Sequence, residues 1–171
     1  MSHAPLHTLQ TALRAEGFAV ESFPPGPDFP LPSLQVALDA AEEVPGESQF
    51  ALRLYLSPGA EGLSALYLHM LLPIAPPPEL PPLRRLEWFT LLAGCNEWLP
   101  LGAFNLNAED EISFSYVLRA LKLEPAVVAQ TLEEIAEWVH TVMPALEALR
   151  NSSHSAEELL ERLEAELEQL S

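Results

Sequence analysis

Prolines divide this chain before any other signal does. Five of them fall within Phe23-Pro24-Pro25-Gly26-Pro27-Asp28-Phe29-Pro30-Leu31-Pro32. Proline fixes φ and has no backbone N–H, so this segment can be neither helix nor central strand and reads as a stiff connector. Pro76-Pro77-Pro78 and Pro81-Pro82 punctuate the middle of the chain. The strand candidates lie between the two series, so the prolines mark the edges of a three-strand unit instead of signalling disorder. Composition agrees, because 49% hydrophobic residues in 171 can bury a core the size of one domain with an appendage.

Period-two alternation supplies the strands. Leu34, Val36, Leu38 and Ala40 share one face, as do Phe50, Leu52, Leu54 and Leu56, while Gln35, Asp39, Arg53 and Ser57 point the other way. An antiparallel sheet with one core face and one wetter face follows. After the turn Ser57–Gly62, a third strand from about Leu63 to Ile74 alternates Leu66, Leu68, Met70 and Leu72 with Ala65, Tyr67, His69 and Leu71. It is apolar on both faces, so it is either central and covered on both sides or meets another subunit. Ala103–Leu106 and Ile112–Leu118 form a hairpin around Asn107–Asp110.

Helical spacing supplies the rest. Leu6, Leu9 and Leu13 with Gly17 as C-cap predict a helix over about 5–16, followed by an extended Phe18–Phe23. Pro82 opens a helix whose broad apolar face holds Leu83, Leu86, Trp88, Phe89, Leu92, Cys95 and Leu99 until Pro100 stops it. Pro125 opens the longest helix, striped by Val128, Leu132, Ile135, Val139, Val142, Leu146 and Leu149, with Pro144 as a kink or boundary. Ser155-Ala156-Glu157-Glu158 is a capping box for a last helix carrying Leu160, Leu163, Leu167 and Leu170 at heptad spacing. Two heptads are too few to stand alone, so this tail packs back on the body or meets a symmetry mate. The expected fold is α+β: a twisted antiparallel sheet of about five strands in the order helix, three strands, helix, two strands, helix. The expected organisation is a domain over 1–150 and an acidic amphipathic helix over 151–171.

Charge narrows the partners. With 25 acidic against 8 basic side chains the formal charge is −17, and residues 151–171 hold six acids against one base. Direct nucleic-acid binding and anionic membranes are poor expectations, because phosphate recognition needs a basic patch. A protein partner with a basic surface fits better. One cysteine, Cys95, permits no intrachain disulfide. No signal peptide is read at the N-terminus, and no segment is long and unbroken enough to span a bilayer, so a cytoplasmic location is expected.

Trp88–Glu97, then Leu101-Gly102-Ala103-Phe104-Asn105-Leu106, then Glu109–Tyr116 together resemble the core of the YbjN-type bacterial domain, a group described as sensory transduction regulators. Leu13–Phe18 is similar to its opening helix and glycine, and Met143-Pro144-Ala145-Leu146 to its closing Pro-x-Leu step. One departure is His140, where the family often has an acid four places before that proline. The resemblance covers roughly 6–150. It implies a type III secretion chaperone-like fold, commonly dimeric, acting through protein binding, with Asn96, Gly102, Phe104, Asp110 and Pro144 as family markers of structural role.

Candidate chemistry is sparse. Glu137-x-x-His140 sets two metal-capable groups one turn apart, but a di-metal bundle needs a second copy that is absent from the sequence. His3 and His7 share that spacing at a terminus and do not close a zinc site. Cys95 lies near a helix C-terminus, where the dipole disfavours a thiolate. No phosphate loop, nucleophile elbow or zinc signature occurs, and neither a catalytic residue nor a cofactor is assigned. The expectation is a non-enzymatic, chaperone-like binding or regulatory module, homodimeric, with Tyr67, His69, Leu71, Trp138, Leu160, Leu163, Leu167 and Leu170 as partner or dimer surface. A small-ligand sensor with a pocket between sheet and helices is the alternative, followed by a hydrolase or metal enzyme using Glu137, His140 or Cys95.

Overall fold

The computed structural model describes residues 4–27, 29–38, 50–58, 64–120 and 123–170, with the backbone alone at 4, 58, 64, 120 and 168–170. Among these residues it is α+β, an antiparallel sheet with helices: α1 Ala4–Ala15, β1 Val20–Phe23, β2 Ser33–Ala37, β3 Ala51–Pro58, β4 Ser64–Leu71, α2 Pro82–Trp98, β5 Ala103–Leu106, β6 Ile112–Ala120, α3 Pro125–Asn151 and α4 Ala156–Leu170. The strand order is β1-β2-β3-β4-β6-β5. The expected fold class is present with one strand more than anticipated. Val20–Phe23, expected only to be extended, pairs antiparallel with β2. Leu63, the loop at 59–62 and the far end of the first strand candidate at Asp39 and Ala40 lie outside the described residues.

The chain divides into two compact units, residues 1–71 with 115–136 and residues 72–114 with 137–171. In the first unit the core face of the sheet carries Leu34, Val36, Leu52, Leu54, Leu66, Leu68 and Met70, all fully buried. Burying each side chain of this size contributes about 1.5–3 kcal/mol. Leu6, Leu9 and Leu13 of α1 are buried, as are Val128, Leu132 and Ile135 of α3. Gly17 adopts φ +95°, and the bonds Phe18 N–H to Leu13 C=O and Gly17 N–H to Arg14 C=O close a Schellman motif. Arg14 then donates to Val20 C=O at 2.6 and 3.1 Å, fixing the step from helix to β1.

The second unit is built around α2. Pro82 occupies its first turn, where the missing N–H costs nothing. Trp88, Leu91, Leu92 and Cys95 are its buried side chains. Val139, Val142, Leu146 and Leu149 are buried on α3, and Pro144 stands inside that helix without ending it. A proline there withholds a donor from the His140 carbonyl. Arg84 of α2 donates to the carbonyl of Leu149 in the last turn of α3, a group the helix end leaves without a helical partner, and to those of Ser152 and His154 in the link that follows. The expected capping box is formed: Ser155 N–H donates to Glu158 Oε2 at 3.0 Å, and Glu158 N–H to Ser155 Oγ at 3.2 Å.

The tail helix belongs to this second unit, so the boundary expected at 150/151 is not where the compact units part. Ala156 N–H donates to Glu87 Oε2 of α2 at 2.6 Å. Further along, a Cβ on Gly94 would stand 2.5 Å from a Leu160 methyl, so glycine is what lets the two helices approach. Ala156, Leu159 and Leu163 are buried. Of the two alternatives for the tail, packing on the body is the one observed.

Candidate functional site

Two surfaces carry large side chains that their own unit leaves uncovered. On α2, Leu83, Leu86 and Phe89 recur every three residues and are 78%, 58% and 44% exposed. This corrects the expectation that they share the core face. The helix is apolar over most of its circumference, and only the arc of Trp88, Leu91, Leu92 and Cys95 turns inward. On the neighbouring α4, the side chains of Glu157, Glu158, Glu161, Glu164 and Glu166 are exposed, with Arg162 the one base among them. The second unit as a whole has fourteen acidic against four basic side chains. Here, then, an apolar stripe lies in a strongly negative field.

In the first unit the outward face of the sheet is built by register. One row across it is Glu21, Gln35, Arg53 and His69, and the next is Phe23, Ser33, Tyr55 and Tyr67. The Tyr55 and Tyr67 rings stack at 5.1 Å between centroids, Phe29 meets Tyr55 edge-on at 5.0 Å, and the Arg53 guanidinium lies 5.1 Å from the centre of the Phe29 ring. Burial, and after it the neighbouring Tyr67, raises the Tyr55 pKa above its ordinary 10. Burial, and after it the Arg53 charge, lowers the His69 pKa below its ordinary 6.5. Leu71 is 51% exposed at the end of the same face of β4.

The expected surface residues therefore separate. Tyr67, His69 and Leu71 do lie together on the outward face of β4. Leu163 is buried and Leu160 rests against Gly94, so both are intrachain packing residues and not part of a free stripe. Leu167 and Trp138 are half-buried, and at Leu170 only helical backbone is described. The markers act structurally. Gly102 takes φ +72° ahead of β5, and Asp110 takes φ +61° in the hairpin turn. The Asp110 Oδ1 atom is buried without an aligned hydrogen bond, yet Arg85 Nη2 stands 2.5 Å away and compensates its charge. Asn96, near the end of α2, reaches across to Phe104. Its amide brackets β5, accepting from Phe104 N–H at 2.7 Å and donating to Phe104 C=O at 2.9 Å.

The candidate chemical groups do not assemble. Glu137 and His140 are exposed on α3, and among the described residues no three metal-capable side chains come together. His3 lies outside the described residues. Cys95 is buried and its thiol is pushed up to about 12, mainly by burial. Sequence reasoning missed Tyr55 and Phe29. Tyr55 shares parity with Arg53, which is the signal that could have placed it outward. In comparisons with known proteins, no family model and no curated protein matches the chain. Among the described residues no helix is long and apolar enough to cross a membrane.

Proposed function

We propose that this chain is a non-enzymatic, chaperone-like protein-binding module that holds a partner with a basic surface. The observation that carries the reading is the exposed stripe of Leu83, Leu86 and Phe89 on α2 beside the carboxylates of α4. Exposed apolar side chains grouped on one helix favour burial against another chain, and the surrounding negative charge selects one that is basic. The proposal includes a homodimer closed through the outward face of β4 at Tyr67 and Leu71, a cytoplasmic location and kinship with the YbjN-type domain. That kinship rests on the quoted runs from Trp88 to Tyr116.

Affinity capture from the native cell, read by mass spectrometry with wild type and Leu86→Asp side by side, tests the binding role. A basic protein retained by wild type, released by salt and absent from the variant is the expected result. A partner retained equally by both contradicts it. Light scattering at micromolar concentration tests the assembly: a dimer mass supports it, and a monomer mass at every concentration removes it.

A further inference from the structure

We infer that the first unit holds a binding site for a small, uncharged, largely apolar molecule, in the cavity where α1 meets the ends of β1 and β2. The cavity measures about 340 Å³. That is within the range of roughly 300–1,000 Å³ typical of small-molecule sites. Leu6 and Gln10 come from α1, Phe23 from the end of β1, Pro32 from the connector, and Ser33 and Leu34 from β2.

The wall explains why the space is preformed. The proline connector leaves β1 and returns to β2 at the paired residues Phe23 and Ser33, so both of its ends stand at the cavity. Proline backbones are restricted in φ and carry no N–H, so this wall is stiff and presents no main-chain donor at those positions. A site whose walls are already ordered avoids the entropic cost of organising them on binding.

The chemistry of the lining selects the ligand. Among the described lining residues there is no carboxylate, lysine or arginine, although the chain has 25 acidic side chains. His7 at the exposed rim is the one titratable group. An anion or a cation would leave water without a counter-charge, which is unfavourable. Gln10 and Ser33, both buried, bring an amide and a hydroxyl into the lining, while the other polar side chains, His7 and Ser22, are exposed at the rim. The molecule that fits has an apolar body and one neutral hydrogen-bonding group. This site is independent of the stripe on α2.

Fluorescence titration with the uncharged probe N-phenyl-1-naphthylamine tests the site. Saturable one-to-one binding is expected, at least tenfold weaker for the anionic 8-anilinonaphthalene-1-sulfonate and at least tenfold weaker in Ser22→Trp, which places a bulky ring at the cavity rim. Leu86→Asp leaves the probe affinity unchanged. Amide chemical shifts of the wild-type protein decide independently of whether Ser22→Trp folds: perturbations centred on Leu6, Gln10, Phe23 and Leu34 support the site. Absence of saturable binding, or perturbations centred elsewhere, overturns it.

Discussion

Asn96 holds both backbone groups of Phe104, its Oδ1 accepting the N–H at 2.7 Å and its Nδ2 donating to the C=O at 2.9 Å. β5 is the last strand in the sheet order, so among the described residues its outer backbone has no further strand to pair with. The Asn96 amide supplies one residue's worth of that missing ladder, and it holds Phe104 edge-on to Phe114 at 5.3 Å. Asn96→Leu removes both bonds and leaves part-buried backbone groups unsatisfied. It should cost about 1–3 kcal/mol in urea unfolding. Asn96→Asp keeps the acceptor and loses the donor, so it should fall between wild type and the leucine variant.

Gly94 and Leu160 make a second test. An alanine at 94 meets the Leu160 methyls, whereas alanine is ordinarily about 1 kcal/mol better than glycine within a helix. Gly94→Ala alone should therefore be neutral or destabilising, and the same change in a Leu160→Ala background should be stabilising. A double-mutant cycle showing no coupling would mean that α4 does not pack here.

The depressed His69 pKa has a definite sign. The unfolded chain titrates near 6.5 and the folded chain lower, so between those values the unfolded state binds more protons. Stability falls as pH drops from about 6.5 to the folded pKa and then levels off. His69→Gln removes this component, visible as the difference between the urea midpoints of wild type and variant at pH 7.5 and pH 5. Arg53→Gln should raise the His69 pKa toward its ordinary value in an NMR titration, though only in part, because burial is the larger cause.

Cys95 should resist alkylation. With its thiol near 12 and its side chain buried, the thiolate is scarce and shielded at pH 8. Iodoacetamide labelling should follow the unfolding curve in urea and be negligible before it.

Much of the architecture was legible because burial enforces periodicity. Every residue of the long stripe from Val128 to Leu149 is buried, and so are Leu34, Val36, Leu52 and Leu54 on the alternating strands. β1 escaped because it is four residues long and runs straight into the proline connector. The inward arc of α2 was ambiguous for a physical reason: Leu83, Leu86 and Phe89 are as apolar as Leu91 and Leu92, and only tertiary packing decides which arc is covered. The tail told a similar story. Its leucines announced an amphipathic helix, but the glycine that receives it is Gly94, sixty-six residues before Leu160. Outward parity revealed Tyr67, His69 and Leu71. Their companions Tyr55 and Phe29 come from other segments and depend on pairing register.

The most direct test of the proposed binding role is fluorescence anisotropy with a labelled, amphipathic helical peptide of leucine and lysine, titrated with wild type and with Leu86→Asp. The substitution removes apolar surface while adding a negative charge, so it separates the two contributions. The account predicts saturable binding that weakens as salt rises from 50 to 500 mM and falls at least tenfold in Leu86→Asp. Equal or tighter binding by Leu86→Asp would contradict it, because attraction to the acidic surface alone would then explain the association.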